Sequence, residues 1–161
     1  MKSNLIALLI SFGLMACQPI VLSDDLKITM ENSPSPKLRL GSRYKLTVAA
    51  NGDVIFDGTS HVKTTGPVTT TLSKQKIQEL VTAFDEANFF SFWDYDCSWS
   101  AWLAPCLSDQ QTTILSIQVN GRTKTVKHNH GDTLAPQSLV DLERKIHAIV
   151  NTQQWLLPAS D

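Results

Sequence analysis

The sequence predicts an α+β domain: an antiparallel sheet built from two hairpins, with two helices packed on one face. Three observations lead there. Asn51-Gly52 and Asn120-Gly121 each sit between alternating apolar runs, a strong short-range hairpin signal. Two later segments switch to three- and four-residue apolar spacing, the period of a one-sided helix. Alternating strands bury one face only, and amphipathic helices are what covers such a face.

The first hairpin spans Tyr44 to Gly58. A two-residue loop would pair Val48 with Ile55 and leave Val54 and Phe56 on the other face. A three-residue loop, Ala50-Asn51-Gly52, pairs Val48 with Val54 and Leu46 with Phe56, and is preferred because it gives one apolar face. It asks Gly52 for a left-handed backbone. In the second hairpin a two-residue Asn120-Gly121 loop puts Leu115, Ile117 and Val119 beside Val126, Lys124 and Arg122. That mixed face predicts a sheet edge, or long side chains lying over the core with charges outward. Leu26 to Met30 and His61 to Thr64 are two further strand candidates, and Ser33-Pro34-Ser35-Pro36 marks a turn.

Each hairpin is followed by a helix. Ser73 can cap the first, which places Ile77, Leu80, Val81 and Phe84 on one stripe and ends near Asn88. The second has Pro136 near its first turn and Leu139, Leu142, Ile146 and Ile149 along one side. The order hairpin, loop, helix therefore occurs twice, over 44–88 and 113–151, the pattern of a pseudo-repeat.

The N-terminus has the parts of an export signal. Lys2 precedes an apolar run from Leu5 to Met15, broken only by Ser11 and Gly13. The run is about half the ~20 residues a spanning helix needs, so residues 1–16 are expected to be a cleaved signal peptide. Leu14-Met15-Ala16-Cys17 resembles the lipobox of bacterial lipoproteins. That resemblance implies a diacylglyceryl group on the Cys17 thiol, a further acyl chain such as palmitate, and a mature protein held on its membrane. Gln18, where inner-membrane lipoproteins carry Asp, resembles the pattern for transfer to the periplasmic face of the outer membrane in a cell that has one. The expected organisation is 1–16 signal peptide, 17–25 lipidated tether and 26–161 a single domain.

Composition narrows the partners. A net charge of −1 over 161 residues, with no basic run after Cys17, argues against nucleic acid. With 42% hydrophobic and 18% charged residues the chain is globular. Setting Cys17 aside leaves Cys97 and Cys106, which in an oxidising compartment read as a disulfide. No Cys-x-x-Cys spacing favours zinc.

Three segments together resemble a family of bacterial exported domains, the domain of unknown function 6438 family. They are the Tyr44 to Gly58 hairpin, then Leu72 to Phe90 ending in Ala87-Asn88-Phe89-Phe90, then Asn120-Gly121 through Val126 and His128 to the last helix and Trp155. In that family a cysteine-rich stretch precedes the first hairpin, where this chain has Ser33-Pro34-Ser35-Pro36-Lys37. The resemblance implies an exported α+β domain and brings no activity with it.

His128-Asn129-His130-Gly131-Asp132 is the most suggestive local chemistry. Alternate histidines at a strand end point the same way, and Asp132 could complete a zinc site. The run resembles the opening of metallo-β-lactamase-like hydrolases for five residues, but the residue after Asp132 is Thr133 and not His. A metal-dependent hydrolase using His128, His130 and Asp132 is the alternative function. The plain reading is a solvated strand end. No Gly-x-Ser-x-Gly elbow or phosphate-binding glycine loop occurs, so no catalytic residue is assigned, no enzyme is expected and no cofactor is implied.

Most aromatic residues lie between Phe89 and Cys106. Phe89, Phe90 and Trp93 are expected to plug the core beside the first helix. Trp99 and Trp102 lie between the cysteines, and two fates stay open for them, core plug or contact surface. The expected function is a non-catalytic, lipid-anchored envelope module. Its partners would be the membrane through Cys17 and an envelope protein or wall component.

Overall fold

The computed structural model describes residues 19–35, 37, 41–98 and 102–157. Six strands and two helices follow in chain order: β1 Lys27–Ser33, β2 Arg43–Ala49, β3 Asp53–Ser60, β4 Gly66–Thr71, α1 Lys74–Glu86, β5 Thr112–Val119, β6 Arg122–Asn129 and α2 Gln137–Val150. They form one sheet in the order β4-β3-β2-β1-β5-β6, antiparallel throughout. The fold is the expected α+β arrangement. β1 comes first in the chain and lies at the centre, joining the hairpin β2–β3 to the hairpin β5–β6.

Both hairpin registers follow from the side-chain pattern. Val48 faces Val54 and Leu46 faces Phe56, as the three-residue loop requires. Gly52 has φ +93°, and a Cβ there would stand 2.5 Å from the Leu72 carbonyl oxygen, so the turn needs glycine twice over. In the second hairpin Val119 faces Arg122 across Asn120 and Gly121, both with positive φ. Inward-facing Ile28, Met30, Leu46, Val48, Val54, Phe56, Leu115, Ile117 and Val126 are all buried.

The edges explain two outcomes. β6 is an edge, as its mixed face predicts, and segment 94–95 partly covers it. The Tyr95 N–H donates to the Lys127 carbonyl at 2.7 Å, and the Lys127 N–H donates to the Asp94 carboxylate at 2.8 Å. The other edge is β4, not His61 to Thr64. Those residues turn, and the Lys63 and Thr64 N–H groups donate to the Trp155 carbonyl at 2.8 and 3.2 Å. Gly-Pro-Val-Thr-Thr-Thr lacks an apolar alternation because an edge strand buries little, and Pro67 is tolerated there.

Ser73 caps α1 by accepting the Lys76 N–H at 3.3 Å, and Ile77, Leu80, Val81 and Phe84 are buried as expected. Asn88 then takes φ 53° and turns Phe89 into the core, edge-on to Phe84 at 5.0 Å and to Phe92 at 5.9 Å. Phe90 is half-buried beneath the Arg122 guanidinium at 4.0 Å. Trp93 does not plug the core: it is 58% exposed, and Phe92 and Tyr95 are buried in its place. Along α2, Leu139, Leu142 and Ile146 are buried, with Val150 rather than half-buried Ile149 completing the stripe.

The helices run antiparallel across the same sheet face. Lys145 pairs with Glu86 at 2.7 Å, and the Lys76 ammonium donates to the Ile149 carbonyl at 3.2 Å. α1 crosses the end of the sheet that carries both Asn-Gly turns, starting beside Gly52 and ending beside Ile20. α2 crosses the opposite end.

Candidate functional site beneath the second helix

The sheet changes character under α2. One row across four strands reads Leu46, Met30, Leu115, Val126 and is apolar. The next row toward the α2 end reads Tyr44, Asn32, Thr113, His128, and all four residues are buried. Buried polar groups require partners, and α2 supplies two of them, Glu143 for His128 and His147 for Tyr44.

Glu143 is the hub. His128 Nδ1 lies 2.9 Å from Glu143 Oε1, with both side chains about 95% buried, and His130 Nε2 lies 3.6 Å from Oε2. His130 follows β6, and its ring stacks on His128 with centroids 4.4 Å apart, so the alternate histidines do face the same way. Thr113 Oγ1 lies 2.9 Å from His130 Nε2. At the other end of the row, His147 joins Tyr44 at 3.2 Å through Nε2 and Thr152 at 2.6 Å through Nδ1. Asn32 donates through Nδ2 to the Ser42 carbonyl at 3.1 Å. Its Oδ1 is the one buried side-chain polar atom among the described residues with no hydrogen-bond partner.

Burial sets the titration of this seam. It pushes His130 below the ordinary imidazole range; Glu143 opposes the shift and His128 adds to it. His147 is lowered in the same way, mainly by burial, with Glu143 opposing and His130 adding. Burial, then the Glu143 charge, raises the Tyr44 hydroxyl, which stays protonated near neutral pH. Both histidines hold protons less well folded than at their unfolded value of about 6.5. The stability they contribute is complete above that value and is lost as pH falls through their folded values. Denaturant midpoints are expected to be lower at about pH 5 than at about pH 7.5, and less so in His147→Gln; equal midpoints in the native chain overturn this.

One ligand atom from each of His128, His130 and Glu143 lies within 4.8 Å of the other two. Zinc with bonds of ~2.0–2.1 Å holds tetrahedral donors about 3.3 Å apart, so small movements would close this group around an ion. Asp132, the carboxylate expected beside the histidines, sits elsewhere. It accepts the Cys97 N–H at 3.2 Å and the Leu134 N–H at 3.0 Å, and so fastens the disulfide loop to the turn after β6.

That loop is closed as expected. Cys97 and Cys106 are bonded, with Cα atoms 5.7 Å apart. Leu107 donates to the Gly131 carbonyl at 3.0 Å, and a Cβ at position 131 would meet the Leu107 oxygen at 2.1 Å, so only glycine permits the approach. Trp102 is 91% exposed, and its neighbour Leu103 and nearby Leu107 are also exposed. Trp99 lies outside the described residues, as do Cys17 and Gln18.

Glu143 and His147 are the members that sequence reading passes over. Leu-Glu-Arg-Lys looks like a solvated helix face, yet Glu143 is four residues after Leu139 and three before Ile146. That position falls within the apolar stripe and is the signal that could have found it.

Fold and site together define a one-sheet, two-helix α+β domain with a disulfide-closed loop and a polar seam under its second helix. The chain belongs to the family described as Domain of unknown function (DUF6438), which matches residues 42–150, more than half of its length. The central strand β1 precedes the matched span. No curated protein matches the chain.

Proposed function

We propose that this protein is a lipid-anchored envelope module that binds a protein or wall component without catalysis, using the disulfide-closed loop as its contact surface. Acylation of Cys17, cleavage after Ala16 and residence on the periplasmic face of the outer membrane form part of this reading, on the sequence of residues 1–18. The observation that carries it is Trp102, held outward on a stapled loop with exposed Leu103 beside it. Aromatic anchors concentrate binding energy, and a closed loop lowers the ordering cost of presenting them.

The test uses the lipidated protein in its native envelope, with a photo-crosslinking residue at Leu103 or, as control, at exposed Ile55 on the open sheet face. A discrete adduct from position 103 is expected, lost on Trp102→Ala and weakened when both Cys97 and Cys106 become Ser. Equal adducts at both positions, or adducts indifferent to Trp102, overturn it.

The grouping of His128, His130 and Glu143 favours a second reading, a metal-dependent hydrolase with Glu143 in place of Asp132. Under the first reading, chelator-treated, tag-free protein takes up no stoichiometric zinc on re-addition. One tight equivalent, lost in His130→Ala, would install the second.

A further inference from the structure

We propose that the domain is held in one orientation on the bilayer, with the β5–β6 turn against the lipid surface and the disulfide loop at the far pole. This rests on the acylation of Cys17.

Residues 19–25, expected as a tether, lie fastened to the domain. The Ile20 N–H donates to the Asp85 carboxylate at 3.0 Å, at the end of α1. Asn120 Nδ2 donates to the Val21 carbonyl at 2.9 Å. The Asp25 carboxylate accepts the backbone N–H groups of Asn120 at 2.8 Å and Gly121 at 2.7 Å, so the strap is tied to the β5–β6 turn itself. Ile20 and Leu22 pack against the core.

The strap leaves almost no slack. Gln18 alone separates Cys17 from Pro19. At 3.8 Å per residue, the lipid-bearing Cα stays within about 8 Å of the Pro19 Cα. Lys27, where β1 begins, faces Ala49 and Gln118, so both hairpin turns lie at this same end of the sheet.

The far pole is a strand length away. β6 runs for eight residues from Arg122 beside the strap to Asn129, which at ~3.3 Å per residue is about 25 Å. His128, His130, Asp132 and the Cys97–Cys106 loop all lie at that distal end. The separation is about three times the reach of the anchor.

Charge does not impose this orientation. Arg122 and Lys27 at the strap end are offset by Asp24 and Asp85. Val21, 60% exposed, adds an apolar contact rather than a basic one. The short strap sets the geometry, so the orientation should persist at high salt.

The experiment places an environment-sensitive thiol label at Thr123→Cys, exposed beside the strap, or at Leu103→Cys, in acylated protein bound to phosphatidylethanolamine–phosphatidylglycerol vesicles. The bonded Cys97 and Cys106 do not react. With nitroxide carried on the lipid headgroups, the Thr123 label is expected to be quenched several-fold more than the Leu103 label. A Gly/Ser insert of about 16 residues between Gln18 and Pro19, spanning roughly 22 Å, should abolish most of the difference. Acyl mass on Cys17 is read from the same preparation. Acylated protein with equal or reversed quenching overturns the orientation alone. Absence of an acyl group removes the anchor and the orientation with it.

Discussion

Cys17→Ser is expected to move the protein from the membrane fraction to the soluble fraction, the largest single effect any substitution here should have. Under the proposed acylation of Cys17, a serine hydroxyl does not replace the thiol as the diacylglyceryl acceptor, so the acyl chains are lost together. Each buried methylene contributes about 0.8 kcal/mol; one chain gives marginal binding of about 10⁴ M⁻¹, and a second makes anchoring stable. Among the described residues no helix is long and apolar enough to cross a membrane. Precursor that keeps residues 1–16 would also sediment, so the mass of the N-terminus must be read on the fractionated material. Wild-type protein recovered soluble with an unmodified Cys17 thiol would defeat the lipid-anchor reading.

Glu143→Ala is expected to cost the fold about 1–3 kcal/mol, because it leaves the buried His128 Nδ1 without its hydrogen-bond partner. The pair is nearly fully buried at 2.9 Å, and the same carboxylate faces His130. Breaking one side of such a pair is far more damaging than replacing both sides with apolar groups of similar size. Glu143→Leu combined with His128→Leu should therefore recover most of the loss. Urea midpoints of the single and double variants measure this; a single-variant cost below about 1 kcal/mol would show that the pair is not a structural element. The double variant also bears on function. If the stapled loop is the contact surface, crosslinking from Leu103 should survive the loss of both polar groups.

Much of the sheet was legible because side-chain alternation and turn chemistry are local. Val48, Val54, Leu46 and Phe56 can share one face only with a three-residue loop, and that register is the one observed. Ser73, the α1 stripe and the pairing of Cys97 with Cys106 were legible for the same reason: each needs only residues close in sequence. β4 was missed because an edge strand of threonines leaves no alternation to read.

The tertiary structure decided what long-range register decides. Tyr44, Asn32, Thr113 and His128 come from four strands and become one row only when β1 enters the centre of the sheet. Glu143 and His147 acquire meaning only when α2 is laid over that row, where burial in a polar seam shifts His147. The outward turn of Trp93 and the docking of residues 19–25 on the β5–β6 turn are likewise settled by packing. By itself the sequence determined five of the six strands, the two helices and the two hairpin registers, because these follow from a period of two or of 3.6 along a single segment. Which polar residues meet in the interior was left to the fold, because a hydrogen bond between distant residues has no period to reveal it.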